Sequence, residues 1–197
     1  TQTLLYTAMR SMQPDGLATL RRRLYRFTRG GWLSVPPGLA LSRVTATLRR
    51  ARRWLPACVM HAVLRTVFNG WHTHRRYQRR GGFCLFRCAS GVAHDSMEHY
   101  LCCPIARCFA SRHLRMQLAG DDLSSMLLAT QQNKQDIIAR ALLLYCLYDA
   151  HNFMRNLAES EVLTASRAQN RMLVALRRAG MIQPSLSTFL RRLWGPT

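Results

Sequence analysis

Five of the chain's seven cysteines fall between Cys84 and Cys108, and four residues of that stretch have the types and spacing of a metal site. Cys84 and Cys88 form a CxxxC pair that one tight turn can bring to a point. Ten residues later, His99 and Cys103 form an HxxxC pair that one turn of helix places on a common side. Two such halves make a tetrahedral zinc site, with Cys102 as the alternative to Cys103 for the fourth ligand. A Cys₃His set leaves no open coordination position, so the expected Zn²⁺ is structural and its binding energy goes into folding. The bland alternative has the thiols as small buried hydrophobes and His99 as a satisfied core histidine. Paired CxxxC and HxxxC motifs at short separation favour the metal. The odd cysteine number and its clustering speak against a disulfide framework and for a reducing compartment. His72, His74, His94, Cys108 and Cys146 are not expected to be ligands.

Positioning these ligands requires short, well-defined elements. Asp95 and Glu98 have capping-box spacing, which predicts a short helix from Ser96, and Pro104 should break or restart it just beyond the ligand. Upstream, apolar periodicity predicts a helix from Gly16 to Phe27 capped by Asp15. A linker spans 32–38, and a second helix carries Leu41, Val44, Leu48 and Leu55. A third opens at Pro56 and stops at Asn69 and Gly70. Downstream, Gly120, Asp121 and Asp122 should cap a helix, and a strongly apolar one over 136–157 should be the central core helix. Another over 159–179 should end at Gly180, with a short last helix after Pro184. The expected fold is mainly α, a helical domain around a small zinc knuckle, with little or no β beyond a few residues near Cys84. Three segments follow: an arginine-rich helical segment over 1–55, a helix plus knuckle over 56–119, and a helical bundle over 120–197. No internal repeat is present.

The charge points to the partner. The chain's 197 residues carry 29 basic and 9 acidic side chains, a formal charge of +20, with 48% hydrophobic residues, ample for a core. Residues 16–94 hold sixteen arginines and no aspartate or glutamate, and every basic residue of the chain except Lys134 is arginine. Guanidinium binds phosphate bidentately and stacks on bases, which suits nucleic acid; the expected partner is RNA rather than DNA. The candidate contacts are Arg49, Arg50, Arg52 and Arg53, and within WHTHRRYQRRGGF the alternating aromatics and arginines Trp71, Arg75, Arg76, Tyr77, Arg79 and Arg80. The same rings could instead pack inward as a helix end. The most apolar stretch, Ile137 to Tyr148, is interrupted by Arg140, so no membrane span is expected. A start at Thr1 rather than Met suits a processed chain or part of a longer one, and an acid-poor, arginine-rich start is also how organellar transit peptides look.

FNGWHTHRRYQRRGGFCLFRC followed by DSMEHYLCCPIA resembles the C-terminal zinc-binding region of non-LTR (LINE-type) retrotransposon reverse transcriptases, over about Pro56 to Arg107. The resemblance implies a knuckle downstream of a polymerase that helps grip template RNA or target DNA, with Cys84, Cys88, His99 and Cys103 in the ligand positions. The spacing departs from the commonest family pattern in both pairs, which leaves Cys102 and Cys103 open. No aspartate pair for two-metal polymerase chemistry and no nuclease constellation of acids and histidines is present, so the family's enzymatic activities do not carry over and the chain is expected not to be an enzyme. The expected function is a non-catalytic, nucleic-acid-binding structural component of a large ribonucleoprotein such as an organellar ribosome, with protein neighbours. The alternatives are the gripping tail of an active reverse transcriptase, or a protein–protein interaction subunit held through the helices over 136–157 and 159–179. The expected location is the mitochondrial matrix for a retained structural protein and the nucleus for a mobile-element product.

Overall fold

The structure, a computed structural model, describes residues 14–31, 33–77, 82–88, 95–118, 123–130, 133–157 and 164–194. Among these are nine helices and no strand: α1 (Pro14–Arg29), α2 (Pro37–Ala51), α3 (Ala57–Val67), α4 (Met97–Cys102), α5 (Pro104–Leu114), α6 (Leu123–Met126), α7 (Lys134–Leu157), α8 (Ala165–Ile182) and α9 (Pro184–Trp194). The mainly α expectation is met. Arg79, Arg80, His94, the Gly120–Asp122 cap and the Glu159–Leu163 start lie outside the described residues.

α7 organises the packing. From Ile137 to Leu147 all but Arg140 are buried, so this helix is apolar almost all round and must be covered on every side. α3 and α8 cover most of it, α9 packs on α8, and α1 packs on α2. The buried apolar residues form one continuous cluster running from Leu20 to Leu190. No helix is long and apolar enough to cross a membrane.

Helix boundaries follow local chemistry. Asn133 starts α7 by accepting the Asp136 amide (2.9 Å), and Thr164 starts α8 by accepting the Arg167 amide (3.2 Å). α3 ends through Asn69 in a left-handed conformation (φ 55°). Gly180, expected to terminate α8, instead lies within it, because the helix runs on to Ile182. A Cβ there would come to 3.0 Å from Leu190 Cδ1, so a side chain at this position would press on α9.

The described arginines of α1 and α2 mostly face away from the apolar seam. Arg23 and Arg43 are half-buried; Arg23 donates to Met97 Sδ (3.1 Å) and lies over the Phe27 ring, linking α1 to the helix of the cysteine cluster. Burial, opposed by Glu98 and reinforced by Arg76, lowers its pKa to about 10. It still carries its charge at neutral pH.

Leu143 of α7 is wholly buried, whereas Val174 of α8 is 46% exposed. Leu143→Ala should cost about 2–5 kcal/mol in urea unfolding, and Val174→Ala about 0.5 kcal/mol or less. Equal costs would contradict the placement of α7 at the centre.

Candidate metal centre and basic surface

Ligand atoms of Cys84, Cys88, His99 and Cys103 all lie within 4.8 Å of one another. Cys84 Sγ and Cys103 Sγ are 4.0 Å apart, and Cys88 Sγ is 3.4 Å from His99 Nε2. A tetrahedral zinc ion with ordinary Zn–S and Zn–N bonds needs edges of about 3.8 Å between sulfurs and about 3.5 Å between sulfur and nitrogen. The donor set and its spacing therefore fit the ion. Cys102, the sequence alternative, is not in the cluster. Cys103 lies between α4 and α5 with extended backbone (φ −55°, ψ 134°), and the Pro104 ring makes the break between the two helices, as its position predicts. Hydrogen-bonded to Cys103 and buried, the Cys84 thiol is pushed up to about 12 despite the opposing hydrogen bond from His99. Without a cation to displace its proton it stays neutral at physiological pH.

Two turns deliver the ligands. Between Cys84 and Cys88 the chain reverses with Arg87 N–H donating to Cys84 O (2.9 Å) and Arg87 in a left-handed conformation (φ 52°). α4 is capped by Ser96, whose Oγ accepts from the His99 amide (3.1 Å). The capping box expected from Asp95 and Glu98 does not form, since the cap is one residue later and Asp95 has a different role.

Asp95 is buried and gathers four donors. Oδ2 accepts from His74 N–H (2.7 Å) and His74 Nδ1 (2.8 Å); Oδ1 accepts from Tyr100 Oη–H (2.6 Å) and His151 Nε2 (3.3 Å). A carboxylate only accepts, so both imidazoles carry their proton on the nitrogen that faces it. Tyr100 Oη in turn accepts from the Leu85 amide (3.0 Å), inside the first cysteine turn. One carboxylate thus links both ligand halves, the 71–77 segment and the central helix α7. Burial would raise the Asp95 pKa, but the hydrogen bonds from His151, Tyr100 and His74 outweigh it and hold the carboxyl well below its ordinary range. At Gly82 a Cβ would come within 2.5 Å of His74, so only glycine permits this approach.

Sequence reasoning missed Asp95, Tyr100, His74 and His151 as a unit. The available signal was the first acid after the acid-free stretch over 16–94; reading it as a cap used only its near neighbours.

The basic candidates divide. Trp71 is a correction: it is wholly buried, stacked on Tyr100 (5.7 Å between centroids), edge-on to Tyr148, and donating Nε1–H to Thr66 Oγ1 (3.0 Å). It is a core ring and offers no face to a base. Beside it the turn at 74–77 leaves Arg75, Arg76 and Tyr77 exposed, with Arg75 3.7 Å from Glu98, Arg76 5.8 Å from the Tyr77 ring, and His72 against the same ring. Phe83, not singled out by the pattern, is 68% exposed next to Cys84. Arg49, Arg50, Arg52 and Arg53 are exposed at the end of α2 and in the turn after it, where the helix's negative end favours cations.

Two outcomes follow. Cys103→Ser should abolish stoichiometric zinc in purified protein and leave it unfolded or readily proteolysed, whereas Cys102→Ser should keep about one equivalent; the reverse pattern would reassign the fourth ligand. Asp95→Asn should cost about 3 kcal/mol at pH 7. Because the folded pKa is depressed, this stabilisation is complete above the unfolded carboxylate's pKa of about 4 and is lost as pH falls below it, so the two proteins should converge in acid. A difference in unfolding free energy that is constant across this range would show that the carboxylate charge is not what stabilises.

No family model, no curated protein and no solved structure matches the chain.

Proposed function

We propose that this chain is a non-catalytic RNA-binding protein whose knuckle is fixed by a structural zinc ion, and that it serves as a resident component of a large ribonucleoprotein such as an organellar ribosome. The observation that carries this reading is the uncompensated charge: sixteen arginines from 16 to 94 with no acid among them, in a chain of formal charge +20. Of the few acids elsewhere, Asp95 is buried in its own network, and Asp149 is engaged by Arg171 (2.6 Å) and Arg178 (3.5 Å). A surface so charged repels itself, and a polyanion embedded against it relieves that repulsion.

Zinc would be held by Cys84, Cys88, His99 and Cys103, with all four tetrahedral positions filled by protein, which supplies fold rather than turnover. The exposed arginines then bind phosphate, and Tyr77 and Phe83 offer rings for stacking beside the knuckle. The resemblance to reverse-transcriptase tails supports an origin as such a tail.

Crosslinking the protein to nucleic acid in its native cells and sequencing what is attached tests the proposal. One dominant structured RNA is the expected result. Scattered genomic DNA or element transcripts would instead mark a working retroelement tail, and no recovered nucleic acid would overturn the reading in favour of a protein-interaction subunit.

A further inference from the structure

Away from the cysteine cluster, a cleft of about 490 Å³ opens where the turn after α2, the first turn of α7 and the α8–α9 corner meet. Its walls include Arg53, Trp54, Lys134, Gln183, Phe189 and Arg192, and none of the described lining residues is acidic. Asp136, exposed in the first turn of α7, is not part of the lining. The corner is pinned, because Gln183 Nε2 donates to Trp54 O (2.9 Å) across 129 residues of sequence.

Three exposed cations therefore converge on a concave site with no acid among its described lining residues. Lys134, the chain's single lysine, holds its Nζ 5.1 Å from the Trp54 ring centroid, and the Arg50 guanidinium lies 5.6 Å from the same ring. Trp54 and Phe189 are half-buried and flat, so the site combines aromatic walls with a cationic rim. An aliphatic acid would use the rim and leave the rings idle, and a smooth duplex would meet only the rim. A nucleotide uses both, and clefts from about 300 Å³ upward accommodate ligands of that size.

We infer that this cleft takes one unpaired nucleotide of a bound RNA, with its base against Trp54 and Phe189 and its flanking phosphates against Arg53, Lys134 and Arg192. The inference rests on the nucleic-acid reading above. It adds a place and a form: single-stranded RNA or an extruded base, read by shape and stacking. Lys134 sits on a flexible stem, so a base that displaces it from the Trp54 ring moves its ammonium to the adjoining phosphate rather than losing it.

The test uses the 197-residue chain with zinc present and two probes of about a dozen nucleotides, an oligouridylate carrying 4-thiouridine and a duplex of equal length. Photocrosslinks of the oligouridylate should map to Trp54 or Phe189 by mass spectrometry, and Phe189→Leu should reduce them while keeping the fold. Lys134→Gln with Arg192→Gln should weaken the single strand at least tenfold, lower its salt slope by roughly 1.4 for two phosphate contacts, and change duplex affinity less than about threefold. Equal losses for both probes would reduce the cleft to general surface charge and overturn the inference. So would wild-type single-strand affinity in the double variant, with crosslinks confined to Arg75–Tyr77. Competition by an acidic peptide as effective as oligouridylate would make it a protein site. Failure of the wild-type chain to bind either probe would instead sink the nucleic-acid reading itself.

Discussion

The buried carboxylate of Asp95 is the interaction on which the rest of the structure depends. It ties together three elements by direct hydrogen bonds: His74 after α3, Tyr100 of α4 and His151 of α7. Through Tyr100 it reaches the Leu85 amide, so the turn carrying Cys84 and Cys88 is oriented by the same charge that orients the helix carrying His99. Removing one partner of a buried ion costs far more than the net worth of the assembled network, because the charge is then left without compensation. A small cysteine loop cannot bury enough apolar surface to hold its own shape. Here the rigidity comes from a second polar centre beside the ligands and from Trp71, Tyr100, Phe86 and His151 packed ring against ring.

This arrangement lets a chain of +20 keep its charge outside. α7 supplies a core apolar on nearly every face, and α3 and α8 close over most of it. The arginine-bearing helices α1 and α2 need only one apolar seam each, Leu20, Leu24 and Phe27 on the first and Ala40, Val44 and Leu48 on the second. What remains of their circumference is mostly exposed and cationic, with Arg23 half-buried against Met97 and the Phe27 ring. The exposed arginines at the end of α2 and at the 74–77 turn follow from that division of labour.

Much of this was legible in the sequence because it is local. Helix periods, the Pro104 break and the paired spacing of Cys84, Cys88, His99 and Cys103 are written within a turn or two of each residue. What was misread depended on distant partners. Asp95 looks like a cap until His151, 56 residues on, is known to face it. Trp71 looks like a stacking platform until Tyr100 and Tyr148 enclose it. Gly180 looks like a helix terminator until α8 is seen to run past it to Ile182 with Leu190 of α9 packed close by. Between Cys102 and Cys103, neighbours in sequence, only the extended backbone at 103 decides which thiol joins the cluster. The Trp54–Lys134–Arg192 cleft draws on three remote segments and had no linear signature.

Zinc K-edge absorption of the purified protein tests the central claim most directly. The account predicts three sulfur scatterers at about 2.3 Å and one imidazole nitrogen at about 2.0–2.1 Å, with no bound water. A first shell of four sulfurs, a shell of light atoms alone, or protein that folds fully with no metal at all would contradict it.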